Sequence, residues 1–426
     1  MPNEARDILY RKAATLVVLV LLVIAAATYS WNHYSLYTNR TGLRLPNGRL
    51  LGADFLSFYI AGKTFAEDRS NLYNWEQQHA VQQEFIAGQG VSEGGLPFVY
   101  PPLVAAGFSL LAVLPYAEAF SLWFFLSLFL VILSLFLLAR SLALSTRNIA
   151  LALLLVLAFS PFTVECLAGG QTSAIGVFIL SAFFLARQAN RDFLAGIVLA
   201  FSYYKPPLFL GFVLLLLLRK EFRVLVGFGA FGVVLVGSSV ALVGVQGFLD
   251  YCAQAMSYRL GNELLIGMQL PLEKAVGLYA FFQALLEDKQ TLSTSCYLLA
   301  FAVLLFERLR TPPKSSNCAR PGQALFPLLF AGDVIFSLLV SPQMAIYDVS
   351  LLLPVIVIVL GTRPSVWRAF DVLLFACGTL LLSCEFLFRT YAMLGVEIRV
   401  TTLVLLLLYF SVRRITVRCS TTALVP

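Results

Sequence analysis

Residues 117–139 read AEAFSLWFFLSLFLVILSLFLLA, an apolar run in which Glu118 carries the only charge. A helix needs about 17–25 such residues to cross roughly 30 Å of hydrocarbon, so the stretch reads as a transmembrane span. Similar runs recur along the chain to about residue 412, and hardly any period-two alternation competes with them. Because lipid offers backbone groups no partner, helices are the spanning element such runs must form. Composition agrees: 59% of the 426 residues are hydrophobic, 12% are charged and the mean hydropathy is +0.84, far from soluble averages. The expected fold class is an all-α polytopic membrane protein, one integral membrane domain over residues 1–426.

Positive charge decides how the spans are threaded, since Lys and Arg in short loops stay on the cytoplasmic side. With Arg6, Arg11 and Lys12 inside, residues 32–116 fall outside, and 117–139 returns to leave Arg140 and Arg147 inside. Spans near 148–166 and 171–187 place Arg187 and Arg191 inside, and a short pair, 192–204 and 206–218, returns Arg219, Lys220 and Arg223 there. After 222–245 comes a second external segment, 246–291, and then a span near 292–307 that brings Arg308, Arg310, Lys314 and Arg320 inside. Spans near 323–340, 346–361, 369–386 and 393–412 keep Arg363, Arg368, Arg413, Arg414 and Arg418 inside. About twelve spans result.

Two further apolar stretches, 99–114 and 270–286, read as helices on the outer surface: the first opens with Pro101-Pro102 and the second carries Glu273 and Lys274. Residues 13–31 are too long for a signal h-region and lack a small-residue cleavage site, so they read as a retained first span. This threading brings Asp54, Tyr100, Gln171, Lys205 and Asp348 to the face opposite the arginine-rich loops, an extracytoplasmic active face on a cell membrane.

The net charge of +7 is spread in short clusters between apolar runs, which orients a membrane protein rather than binding nucleic acid. The seven cysteines show no C-x-x-C or metal spacing and suggest no disulfide framework. Only two histidines, His33 and His79, are present, which speaks against His-based metal or triad chemistry. No cofactor is expected.

Residues 32–116 form the one long hydrophilic region, and long loops in compact domains are usually functional. Gly52-Ala53-Asp54-Phe55 reads as a helix start with Asp54 at the N-cap, and a second helix follows from about 74 to 87. By spacing alone Asp54 is either a cap or a reactive carboxylate.

The string Asp54-Phe-Leu-Ser-Phe-Tyr59-Ile-Ala-Gly62, then Asn71-Leu72-Tyr73, then Phe98-Val-Tyr100-Pro101-Pro102-Leu103, resembles the first-loop signature of glycosyltransferase family 87. Gly170-Gln171, Leu194-Ala195-Gly196 and Lys205-Pro206 resemble a second block, and Ser341-Pro342, Tyr347-Asp348 and Leu353-Pro354 a third. The blocks keep the family's order over residues 50–360. The resemblance implies a GT-C-like bundle and transfer of a hexose, mannose by the best-known members, from a polyprenyl-phosphate donor to an acceptor hydroxyl. It implies Asp54 as general base and brings Tyr59, Tyr100, Gln171, Lys205 and Asp348 forward as substrate-binding residues.

Such chemistry needs a base for the acceptor hydroxyl and a cation for the phosphate released. Lys205, between Tyr203-Tyr204 and Pro206-Pro207, is either that cation or a side chain snorkelling to the headgroups. Asp348 at the mouth of a span is a substrate residue, a cap, or the partner of Arg389 in a salt bridge. Asp333, inside an apolar run, is expected to pair with a neighbouring helix, and Glu385, Arg389, Glu397 and Arg399 to cluster at the ends of the last spans. No D-x-D pair and no G-x-x-x-x-G-K-[ST] loop offers a metal site or a nucleotide-sugar site. The alternative is a polytopic lipid or solute transporter, which the absence of an internal repeat disfavours. The acceptor, whether lipid, glycan or protein, is not written in these motifs.

Overall fold

The computed structural model describes residues 20–21, 23–24, 27–91, 95–257, 263–265, 268–269, 274–286, 289–310, 325–361, 369–382 and 399–422. Residues 117–139 lie in the helix Tyr116–Ser141, which follows Pro115. One face carries exposed Leu122, Phe125, Phe129 and Phe136, the other buried Phe120, Trp123, Val131 and Leu135. An apolar outer face of this kind suits lipid, not water.

Among the described residues four helices are long and apolar enough to cross a membrane: Tyr116–Ser141, Phe222–Ser257, Gln290–Arg310 and Val400–Arg418. Asn148–Ala158 and Pro161–Ala168, bent by 55°, make a fifth if taken as one span. The expectation of about twelve is not reached by this criterion. Most other expected spans are apolar helices cut short, such as Ser173–Gln188, Asp192–Ala200, Leu210–Leu218, Phe326–Val340 and Leu353–Gly361. The 9 residues of Leu210–Leu218 rise only about 13.5 Å.

The cuts have a common cause. Proline and glycine interrupt the runs at Pro161, Gly169-Gly170, Pro206-Pro207 and Pro342, and the chain between helices winds as a π turn (Pro161–Ala168) or 3-10 turns (Phe201–Tyr204, Pro206–Leu208, Ile346–Leu352). Irregular backbone at membrane depth is tolerated where it lines a cavity. Residues from every one of these breaks line one cavity.

In the stretch 32–116, the helix Phe55–Glu67 begins at Asp54, and Trp75–Gly88 is capped by the Asn74 side chain, which accepts from the Gln77 N–H. The apolar stretch 99–114 contains the eight-residue helix Pro102–Ser109, and 270–286 contains the pair Ala275–Val276, hydrogen-bonded to Met344–Ala345, and the helix Leu278–Leu285. Neither is of spanning length. Aromatic rings bind this stretch to the long helices: Phe58 stacks on Phe108 at 4.8 Å, Phe108 meets Trp123 at 4.7 Å, and Phe55 meets Tyr116 edge-on at 5.5 Å. Tyr116–Ser141 lies along Ser173–Gln188, Phe222–Ser257 along Asp192–Ala200, and Phe326–Val340 along the last helix.

Asp333 pairs across helices as expected: Arg219 binds it with both terminal nitrogens, at 2.6 and 3.0 Å, and Arg308 Nε with 2.7 Å. Most of the first predicted span, the basic residues Arg6, Arg11, Lys12, Lys314, Arg320, Arg363 and Arg368, and Glu385, Arg389 and Glu397 lie outside the described residues.

Candidate active site

Asp54 is positioned by backbone from elsewhere in the chain. Its N–H and that of Phe55 both donate to Gly169 O, at 3.1 and 3.2 Å. Gly169 and Gly170 end the π turn, a rare element that recurs at functional sites. Gly170 has a φ of +81°, and a Cβ there would lie 2.5 Å from Phe55 Cβ, so only glycine lets the turn come this close to the helix start. Trp123 Nε1 donates to Gly170 O at 3.2 Å, and the Tyr116 hydroxyl holds the preceding Leu51 and Gly52 carbonyls at 2.8 Å each.

Asp54 occupies the N-cap position without capping: its side chain makes no cap hydrogen bond. Its Oδ2 instead accepts from Gln171 Nε2 at 2.7 Å. Both residues line a cavity of about 610 Å³, in the size range of ligand sites.

Lys205 sits at the joint of two 3-10 turns, at φ −151° and ψ 72°. Its Nζ lies 2.9 and 2.7 Å from the two oxygens of Asp348 and 4.6 Å from the Tyr347 ring centroid. Asp348 has 0% side-chain exposure and also accepts from Ser173 Oγ and Ala345 N–H, at 2.9 and 3.0 Å. A buried carboxylate with these donors is fully used, so Asp348 stands behind the cavity wall and Lys205 in it. The partner of Asp348 is Lys205; Arg389, the alternative the sequence offered, lies outside the described residues.

Tyr100 is on the wall, and burial, with Asp348 and Asp54 nearby, pushes its pKa up, keeping the phenol a donor. Tyr59 is not among the lining residues; its hydroxyl donates to Leu114 O at 2.9 Å. The same helix turns Ser57 and Phe58 to the cavity with Asp54, as positions three and four residues on must be.

Three further wall residues, Glu165, Lys274 and Arg49, are not among the candidates drawn from the sequence. Glu165 on the π turn accepts from Lys274 Nζ at 2.9 Å, bridging 109 positions of sequence, and both line the cavity. Burial disfavours the Lys274 ammonium, but the carboxylates of Glu165 and Asp54 outweigh it and its pKa lies above the ordinary value. Arg49 also lines the cavity, from the turn before Leu50 and Leu51, and its guanidinium has no hydrogen-bond or ion-pair partner among the described residues. The ion pairs Lys205–Asp348 and Lys274–Glu165 cancel, which leaves Arg49 and Asp54, among the described residues, as the wall charges without an ion-pair partner. Among the described residues, no three of His, Cys, Asp and Glu come together as a metal site.

No curated protein and no solved structure matches the chain. Residues 98–342, more than half of the 426, match the profile of glycosyltransferase family 87. A family of glycosyltransferases brings with it a sugar donor and an acceptor, and the long apolar helices make the chain a membrane protein. Matched over more than half of its length, the chain belongs to glycosyltransferase family 87.

Proposed function

We propose that this glycosyltransferase moves a hexose, mannose in the first instance, from a polyprenyl-phosphate donor to an acceptor hydroxyl at the extracytoplasmic face of the cell membrane. The observation that carries this reading is the side chain of Asp54, which occupies a cap position, does not cap, and turns to a cavity lined by cations. In the reaction the acceptor O–H proton passes to the Asp54 carboxylate as the acceptor oxygen bonds to the anomeric carbon. The bond from that carbon to the phosphate oxygen breaks, and polyprenyl phosphate leaves with the electron pair.

The donor phosphodiester carries one negative charge and the leaving phosphate approaches two, so cations near it stabilise the transition state more than the ground state. Arg49 supplies the uncompensated charge. Lys205 gives two N–H bonds to Asp348 and keeps one for the donor. Tyr100 and Gln171 complete the wall around the sugar.

The test is transfer from a short-chain polyprenyl-phosphate mannose by the purified protein in vesicles, beside matched nucleotide sugars. Transfer from the lipid donor alone is expected, and Asp54→Asn should lower it roughly 10²–10⁴-fold with unchanged thermal unfolding. Transfer from the nucleotide sugar instead, or undiminished turnover of Asp54→Asn, refutes the reading.

A further inference from the structure

We propose that the Ser57 hydroxyl is a sugar-binding group: it hydrogen-bonds a substrate hydroxyl next to the one that Asp54 takes, and so sets which sugars the cavity accepts. The proposal rests on the reading of the cavity as the site of hexose transfer.

Ser57 stands three residues beyond Asp54, in the helix Phe55–Glu67. Positions three apart share a helix face, with Cβ atoms about 5–6 Å from each other, and both residues line the cavity. A serine inside a helix can turn its hydroxyl back to the carbonyl four residues earlier, which satisfies it among apolar neighbours. Ser121, Ser134, Ser181, Ser295 and Ser411 all do so. Ser57 does not: among the described residues its hydroxyl has no hydrogen-bond partner.

A hydroxyl taken from water without a partner is costly, and Ser57 is only 4% exposed, between the buried Leu56 and Phe58. Burial alone does not make a site. Ser127 and Ser293 also lack a partner, but their oxygens are sealed in and neither residue lines the cavity. The Ser57 oxygen is not sealed in, and the little surface the residue keeps opens on the cavity. A serine hydroxyl both donates and accepts, as a sugar hydroxyl does. Unlike Arg49 and Lys205, it brings no charge for a phosphate.

Spacing selects the substrate atom. Asp54 takes the reacting hydroxyl, and Ser57 reaches a hydroxyl one or two carbons away, on the acceptor or on the hexose whose anomeric carbon bonds to that same oxygen. A substrate lacking this hydroxyl leaves Ser57 buried and unpaired, and is discriminated against for that reason.

The experiment measures kcat/KM for release of prenyl phosphate from a short-chain prenyl-phosphate mannose, with octyl α-mannoside as acceptor and with water alone. Analogues lacking one hydroxyl, on the donor sugar and then on the octyl mannoside, are compared with their parents in the wild type and in Ser57→Ala. The wild type should use one analogue about ten-fold less well than its parent. Ser57→Ala should lose that preference and unfold at no lower a temperature, since alanine suits a helix better than serine. A preference lost with a donor analogue, in water as well, puts the hydroxyl on the hexose; one lost only with an octyl mannoside analogue puts it on the acceptor. A wild type indifferent to every analogue, a Ser57→Ala variant that keeps every wild-type preference, or one that unfolds earlier because the hydroxyl served the fold, overturns the proposal and leaves Asp54 as the base. Retained turnover of Asp54→Asn overturns the reading beneath it.

Discussion

Asp348 and Asp333 are both carboxylates packed among apolar helices, yet they are held by different cations to different ends. Asp348 takes one lysine, a hydroxyl and a backbone N–H, and the lysine keeps one proton for the cavity. Asp333 takes two arginines, and Arg308 is further tied to Leu329 O. Neither arginine lines the cavity. The fork of a guanidinium suits a fixed, bidentate joint, whereas an ammonium is a point charge with protons to spare. The arginines clamp three helices, Leu210–Leu218 through Arg219 at its C-cap, Gln290–Arg310 and Phe326–Val340. The lysine gathers three chain breaks around the site.

Removing the carboxylate should cost most where two cations depend on it. Asp333→Asn leaves one buried and one partly buried guanidinium facing a neutral amide, and should destabilise the fold by about 3–5 kcal/mol. Thermal unfolding in detergent reads this, and turnover per folded molecule should be unchanged; lost turnover with an intact fold would tie the clamp to the site. Lys205→Met strands Asp348 in the same way at one partner, about 3 kcal/mol. The double variant Lys205→Met with Asp348→Asn should regain at least half of that stability but none of the activity. Independent, additive effects would mean that the pair is not coupled.

Arg49→Gln tests the wall cation that has no partner among the described residues. Stability should stay put, and the KM for the lipid donor should rise roughly ten-fold; an unchanged KM would hand the donor phosphate to Lys205 or Lys274. The smallest effect is expected remote from both clusters. Asn74→Ala removes a cap and should cost about 1 kcal/mol with kcat and KM as in the wild type, and altered kinetics would show that Trp75–Gly88 reports on the cavity.

Much of the site is visible in the sequence because its residues are polar where the chain is apolar. Asp54, Tyr100, Gln171 and Lys205 interrupt or flank apolar runs, and all four meet at the cavity. Glu165 interrupts one as well, beside Gly169-Gly170, and a carboxylate in such a run is itself a signal. Lys274 is harder to place: no local pattern relates it to a residue 109 positions away. Arg49 looks like any loop arginine until Leu50 and Leu51 are seen buried beside it. The helices too were legible as apolar runs, but hydropathy does not register a π turn or a 3-10 joint, so runs of spanning length in sequence become shorter helices in space. That Lys205 meets both oxygens of Asp348 depends on backbone that no periodicity encodes.

Gly244 shows how far shape can travel without contact. Within Phe222–Ser257 it alone leaves the helical angles, at φ 74° and ψ 171°, a combination essentially confined to glycine. Beyond it the chain turns so that Tyr251, Ala255 and Met256 form part of the cavity wall, with the Gln254 amide on Tyr73 O. A methyl group at residue 244 would touch nothing within 4 Å. Alanine there would fit by volume and be strained in torsion, so the bend that brings Tyr251, Ala255 and Met256 to the cavity wall depends on glycine. Part of the cavity wall thus rests on the torsion of a single exposed glycine that contacts none of it.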